Sequence, residues 1–418
     1  MFDTGNTAFM LAATGLVMFM TPGLAFFYGG LVGRKNTLAI MMQSFVSLGW
    51  VTVLWFVAGY SLCFSGDVHG VIGNLDQAFL KGIDIGTAYA GASRIPLLVF
   101  VSYQLMFAVI TPALITGAFA NRIRFTPYMI FITLWLFLVY FPLVHMVWGN
   151  GLLAKWGVLD FAGGIVVHAS AGMAALASVF FVGKRKVHDP GLHSIPLVAL
   201  GTGMLWFGWF GFNAGSELQV NGTTAQAFLN TQVGGAFAGM TWLLVAWLRD
   251  GKPKLVAFLT GAVAGLATVT PCAGYVTVGS SALVGIAAGL ACYAACDLRT
   301  RLKWDDALDV WGVHGVGGIT GTILLGVFAT KAVNPDGADG LLLGNGTFFG
   351  KQVAAVAGVG AYAFVISYGM LWLIDRFVAV RTTEAHEHEG LDGALHGEQA
   401  YDDKGPHGAP APAVEIKA

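Results

Sequence analysis

The sequence predicts an all-α polytopic membrane protein: eleven transmembrane helices with an inverted 5+5 helix repeat, N-terminus outside and C-terminus cytoplasmic. Three observations carry this expectation. Only 11% of the 418 residues are charged and 56% are apolar, whereas a soluble domain carries about 25% charged residues. Eleven apolar stretches reach the roughly 20 residues needed to cross a bilayer. The basic residues collect in alternate gaps between those stretches, as the positive-inside rule requires.

Taken in order, the spans are 7–32, 37–64, 95–120, 126–144, 161–182, 194–213, 224–248, 254–271, 276–297, 308–330 and 347–379. The start, Met1 to Asn6, holds no basic segment or cleavage site and reads as a short translocated tail. The odd gaps hold thirteen basic residues, among them Arg34, Lys35, Arg122, Arg124, Lys184, Arg185 and Lys186. The even gaps hold five: Lys81, Arg94, Lys155, Lys331 and Lys351. Gly interrupts many spans, and its 58 copies are about twice the usual share of ~7%. Glycine lets helices approach closely in lipid, where no hydrophobic drive pulls them together. Residues 1–380 therefore read as one transmembrane domain. Residues 381–418 turn polar, with Glu384, His386, Glu387, His388 and Glu389 followed by Gly and Pro, and read as a cytoplasmic C-terminal tail whose last part is disordered.

Spans 1–5 and 6–10 form two halves. Five is an odd number, so the halves must be inverted relative to each other. Thr111-Pro112 and Thr270-Pro271 fall on the third span of each half, and His168 and His314 on the last. Both histidines follow Val and precede a Gly by four residues: Val167, His168, Gly172 and Val313, His314, Gly318. At ~1.5 Å per residue, His168 lies ~12 Å in from one side and His314 ~8 Å in from the other, so the two converge toward the midplane.

No span carries Lys, Arg, Asp or Glu in its middle. Pumps and coupled porters keep such groups on their route, and cation channels need rings of carbonyls or carboxylates. A path whose only titratable groups are two imidazoles rejects an intact ion. It suits a small neutral species, or one that leaves its charge behind, since imidazole exchanges a proton near neutral pH. The plain alternative is two unrelated buried histidines, and a further one is a pair of haem axial ligands. Asp160 and Asp309 each read as the cap of the helix that follows. At a pore mouth, Asp160 would also make the potential felt by a cation more negative. Phe107, Trp148 and Phe212 offer ring faces on which a cation losing water could rest. Cys63, Cys272, Cys292 and Cys296 show no metal spacing and read as packing residues. A net charge of −1 gives no reason to expect nucleic acid as a partner.

The motifs go further than a class. Asp160-Phe-Ala-Gly-Gly-Ile-Val-Val-His168, Phe212-Asn-Ala-Gly-Ser216, Trp311-Gly-Val-His314-Gly, Thr21-Pro-Gly with Phe27-Tyr-Gly-Gly30, and His145-Met-Val-Trp148-Gly stand in order along the chain. Together they resemble the Amt/Mep/Rh ammonium transporter family, its bacterial Amt branch in particular, from about residue 6 to 400. The resemblance implies a homotrimer in the bacterial inner membrane with one pore per subunit, no cofactor and no enzymatic activity. It implies an outer ammonium site at Phe107, Trp148 and Ser216 with Asp160 nearby, a gate of Phe107 and Phe212, and twin histidines, His168 and His314, hydrogen-bonded across the pore. Trp209 and Thr270 match further pore or vestibule positions. The stretch Glu384 to Tyr401, with Gly390-Leu-Asp392, is similar to the region of the family that docks a PII-type signalling protein. On this reading ammonium arrives as NH4+, loses its proton and crosses as NH3, with net charge movement relayed by the histidines and Asp160. A receptor that binds ammonium and signals through the tail is the alternative.

Overall fold

The computed structural model describes residues 2–91, 94–187 and 191–401. Among them the chain is helical, with three isolated bridges and no strand. The apolar stretches become α1 (Thr4–Leu31), α2 (Arg34–Phe64), α3 (Leu97–Phe119), α4 (125–147), α5 (Gly164–Val182), α6 (Ile195–Glu217), α7 (Gly222–Asp250), α8 (Leu255–Val269), α9 (Val278–Arg301), α10 (Trp311–Phe328) and α11 (Gly346–Asp375). Among the described residues, ten helices are long and apolar enough to cross a membrane, and α8, with 15 residues, is shorter.

Local signals start the helices. Asp3 accepts the N–H of Asn6 at 2.7 Å at the head of α1, and Asn221 and Thr224 close a reciprocal capping box on α7. The two Thr-Pro pairs behave differently. Pro112 lies inside α3, which runs on through Ala113, Leu114 and Ile115. Pro271 lies beyond the end of α8, where Cys-Ala-Gly-Tyr follows and the chain turns. The pair thus marks corresponding spans but not corresponding helix interiors.

The inverted repeat shows in the packing. α1 and α6, the first helices of the halves, lie against each other along their length. A Cβ at Gly201 would fall 2.2 Å from the Phe27 nitrogen, so the seam admits no side chain there. α5 and α10, the last helices, each open with a wide π-type turn, Gly164–Ala169 and Trp311–Gly315. The opening turn of α5 packs on the body of α10, and that of α10 on the body of α5. This reciprocity is what a two-fold relation between inverted halves produces. The glycine four residues after each histidine sits at the crossing. A Cβ on Gly172 would lie 2.1 Å from Gly315 Cα, and one on Gly318 would lie 2.6 Å from the Ala169 nitrogen.

Beyond α11 the described part of the tail, to Tyr401, is docked. A short helix, α12 (Glu384–Glu389), places Glu387 so that it accepts the N–H groups of Lys186 and Val187 and pairs with Arg381 at 2.9 Å. Asp392 accepts the N–H of Ala39 at 2.8 Å, and Leu391 donates to Asn36 at 2.9 Å. Tyr401 bonds His193 at 2.9 Å under the Arg34 guanidinium. The expected disorder of the last residues concerns 402–418, which lie outside the described residues.

Candidate functional site

Asp160 organises one end of the site. Its Oδ1 accepts the N–H groups of Gly163 and Gly164 at 2.8 and 2.7 Å, and its Oδ2 those of Ile165 and Val166 at 2.8 and 3.1 Å. The orphan donors at the start of α5 are thereby satisfied by one charged group, where the helix dipole also favours an anion. The loop turns into α5 at Gly163, whose φ of +124° suits a residue without Cβ. A carboxylate has about four lone-pair sites, and all four are taken.

From that end a file of aromatic rings runs inward. The Trp148 indole N–H donates to the Asp160 carbonyl at 2.9 Å, and its ring meets Phe107 edge-on at 5.9 Å between centroids. Phe107 faces Phe212 at 4.2 Å, and both are buried. Phe212 lies 6.0 Å from His168, and His168 lies 5.2 Å from His314 with ring planes 12° apart. Ser216 stands one turn beyond Phe212, donating to its carbonyl at 2.9 Å, with the Tyr103 hydroxyl 3.3 Å away.

The two histidines meet nitrogen to nitrogen, Nδ1 to Nδ1, at 3.2 Å. One proton lies between them, so one ring is the donor and the other the acceptor. When both rings are neutral, one Nε2 carries a hydrogen and the other a lone pair. His168 Nε2 is buried and has no protein partner. Trp209 stacks on His168 at 5.5 Å and gives its own N–H to Thr270 at 2.9 Å. The cavity against the pair is lined by Leu24, Phe27, Ile110, Leu114, Val263 and their neighbours, with no charged side chain. Its free volume is about 10 Å³, close to one water-sized sphere. Nitrogens 3.2 Å apart and sharing a proton leave no room for a porphyrin between them, which removes the haem reading.

Past His314 a wider cavity of about 120 Å³ opens, with Tyr28, Thr260 and Asp309 on its wall. Here the structure corrects the sequence reading. Asp309 has a left-handed backbone, φ +58°, and bonds Arg299 Nε at 2.9 Å instead of capping α10. The cap is Asp306, which accepts the N–H of Val310 at 3.1 Å and of Trp311 at 2.8 Å. Burial, with Asp309 adding to it, pushes the Asp306 carboxyl up to about 6. The signal was present in the chain: Asp160 precedes His168 by the same eight positions that separate Asp306 from His314. Tyr103, one turn before Phe107, was also missed, because nothing local distinguishes it among eleven tyrosines. All four cysteines are buried and unpaired.

A bundle of membrane-length helices crossing around a small, uncharged cavity marks a multi-pass membrane protein. Residues 8–401 match the model of the Ammonium Transporter Family. The chain is 43% identical over 400 residues to the ammonium transporter Amt1 of Archaeoglobus fulgidus, covering 95% of this chain and 99% of that one. It is 42% identical over 403 residues to an ammonium transporter of Bacillus subtilis, covering 96% and 99%. Among solved structures it is similar to Mep2 of Saccharomyces cerevisiae, at 33% identity and TM-score 0.85, covering 91% of this chain and 88% of that one. A structure described as a sensor Amt protein matches at 28% identity and TM-score 0.85, covering 93% and 98%. The chain belongs to the Ammonium Transporter Family, whose members are transporters and not enzymes.

Proposed function

We propose that this protein captures NH4+ at the Asp160 end, passes its proton to the His168–His314 pair and conducts NH3 through the passage between α5 and α10. One observation supports this above the rest: two histidines share a proton inside an uncharged slot, and His168 keeps a buried Nε2 with no protein partner. That nitrogen is suited to bond a small neutral amine in single file. An intact NH4+ would have to shed its water in an apolar slot, which is costly.

The roles follow in order along the ring file. Trp148 and Phe107 hold NH4+ by cation–π attraction, worth about 0.5–2 kcal/mol, with the Ser216 hydroxyl as acceptor. Asp160 contributes negative potential and fixes the head of α5. Its saturated acceptor sites speak against its holding the proton itself, so the relay falls to His168 and His314. Phe107 and Phe212 close the passage and must part to admit the substrate. Net transfer of H+ with NH3 is part of the proposal.

The orientation places the Asp160 end outside and the tail in the cytoplasm, as the basic-residue pattern suggests. On the family resemblance the assembly is a homotrimer, and a PII-type protein docks at the tail between Glu384 and Tyr401. The tail's bonds to Ala39, Lys186 and His193 support a role for it in reading events at that face.

Purified protein in liposomes, assayed by solid-supported membrane electrophysiology, is expected to give an ammonium-dependent current absent from empty liposomes. H168A is expected to lose that current or to admit potassium. Absence of any ammonium-dependent current or pH change in the wild type, or unchanged selectivity in H168A, would end this reading.

A further inference from the structure

The loop that presents Asp160 is held at three consecutive residues by three different elements. Asp160 gives its carbonyl to the Trp148 indole at 2.9 Å. Phe161 donates its N–H to Pro271 at 3.3 Å. Leu159 is held by a side chain: its N–H donates to Gln352 Oε1 at 3.0 Å, and its carbonyl accepts from Gln352 Nε2 at 2.7 Å. Gln352 is fully buried and lies on α11, the helix that stands outside the 5+5 repeat.

A primary amide that gives one N–H to a backbone carbonyl and takes the same residue's N–H mimics a paired strand. It fixes the two peptide units that flank Leu159, and so fixes the orientation of the chain entering the next residue. Asp160 is that next residue. Its carboxylate must meet four N–H groups at 2.7–3.1 Å, a geometry that tolerates little rotation of its Cα. Its carbonyl must at the same time meet Trp148. A long apolar helix has no need of a buried glutamine for its own stability, and leaving one unpaired costs about 1–3 kcal/mol.

We infer that Gln352 is a positioning residue for the Trp148–Asp160 pair. Through Leu159 it sets the distance between the indole face and the Asp160 charge, and hence the affinity for the arriving cation. The inference rests on the reading of this end as the recruitment site. It brings α11, which donates no group to the passage itself, into determining how tightly substrate is captured.

The test compares Q352A, Q352E and, as a control on the same helix, S367A. Ser367 is also buried and accepts the Trp135 indole N–H at 3.1 Å, away from the Asp160 loop. In liposome currents, Q352A is expected to raise the half-saturating ammonium concentration about 5- to 10-fold while leaving the maximal current within about 2-fold, since two hydrogen bonds are lost away from the permeation step. Q352E, buried and therefore held neutral, keeps an acceptor for the Leu159 N–H and one hydrogen for its carbonyl in a different geometry, so it should fall between wild type and Q352A. S367A should leave the half-saturating concentration unchanged. A Q352A curve with wild-type half-saturation, or a loss confined to the maximal current, would overturn the inference.

Hydrogen exchange provides a readout that needs no transport. Amides of residues 159–166 should exchange about 10-fold faster in Q352A than in wild type, with other helices unchanged. Unchanged exchange there would overturn the inference even if the currents differ. A wild-type protein without ammonium current would sink the proposed function while leaving the exchange result to decide the role of Gln352.

Discussion

The two arms of the repeat carry the same parts and use them differently. In each, an aspartate sits eight residues before a histidine, caps a π-type opening turn, and is followed by a glycine at the helix crossing. In the first arm Asp160 takes four N–H bonds, and no cationic side chain is among its bonded partners. In the second arm Asp306 takes two, and beside it Asp309 is paired with Arg299 and Asp305 with Arg185. One end of the site therefore keeps a carboxylate held only by backbone dipoles. At the other end the neighbours Asp305 and Asp309 are paired with guanidinium groups, while Asp306 itself is held by two backbone N–H groups. A duplication that yields similar backbones need not yield similar fields, and on the proposed function the Asp160 end, with no arginine neighbour among its bonded partners, is the one that collects a cation.

The sharpest way to break this comparison is to delete each cap. D160A leaves four buried N–H groups without an acceptor, at about 1–3 kcal/mol each, and should cut the ammonium current more than about 100-fold. D306A leaves two and should retain measurable current. Equal losses in the two variants would mean that the arms are equivalent.

Next in size are the glycines at the crossing. G172A drives a Cβ into the Gly315 backbone and G318A one into Ala169. Each should lower thermal stability by about 1–3 kcal/mol and reduce current at least about 10-fold by separating the paired rings. A variant that keeps full current would show that the rings need not touch.

A pH series on D306N sharpens the difference in charge environment. The Asp306 carboxyl ionises near 3.8 when unfolded and at about 6 when folded. Its folded form therefore favours the neutral acid, and that advantage is present below about pH 4 and lost as pH rises through 6. Relative to D306N, the wild type should lose up to about 3 kcal/mol over that interval, at 1.36 kcal/mol per unit, and stay level above it. A wild-type curve parallel to that of D306N in thermal denaturation from pH 4 to 8 would contradict this.

The smallest effect is expected from W148F, which keeps a ring but loses the N–H bond to Asp160. It should raise the half-saturating ammonium concentration about 5-fold, the equivalent of one hydrogen bond of about 1 kcal/mol. A wild-type value would confine Trp148 to packing.

The apolar helices were legible because they follow from quantities spread over the whole chain: charge content and span length. His168 and His314 were legible because an ionisable group in an apolar span is rare enough to stand out. Asp306 was not, because Asp309 lies nearer the start of α10 and matches the local rule for a cap, while only the left-handed turn at 309 turns it away toward Arg299. Phe107 and Phe212 could not be told from the other 28 phenylalanines by residue type; their place on the third and sixth spans and the family resemblance singled them out. Gln352 was invisible because its partner, Leu159, lies 193 positions away. Short-range patterns disclose helices and caps, whereas a bond between distant elements shows only in three dimensions.

The slot beside the histidines has one further consequence, which concerns traffic. On the proposed route two molecules cannot pass each other where there is room for one, so travellers from opposite sides must queue. Isotopically labelled substrate leaving against an unlabelled inward stream should be held back more strongly than independent diffusion allows, and the flux ratio should steepen as the opposing stream grows.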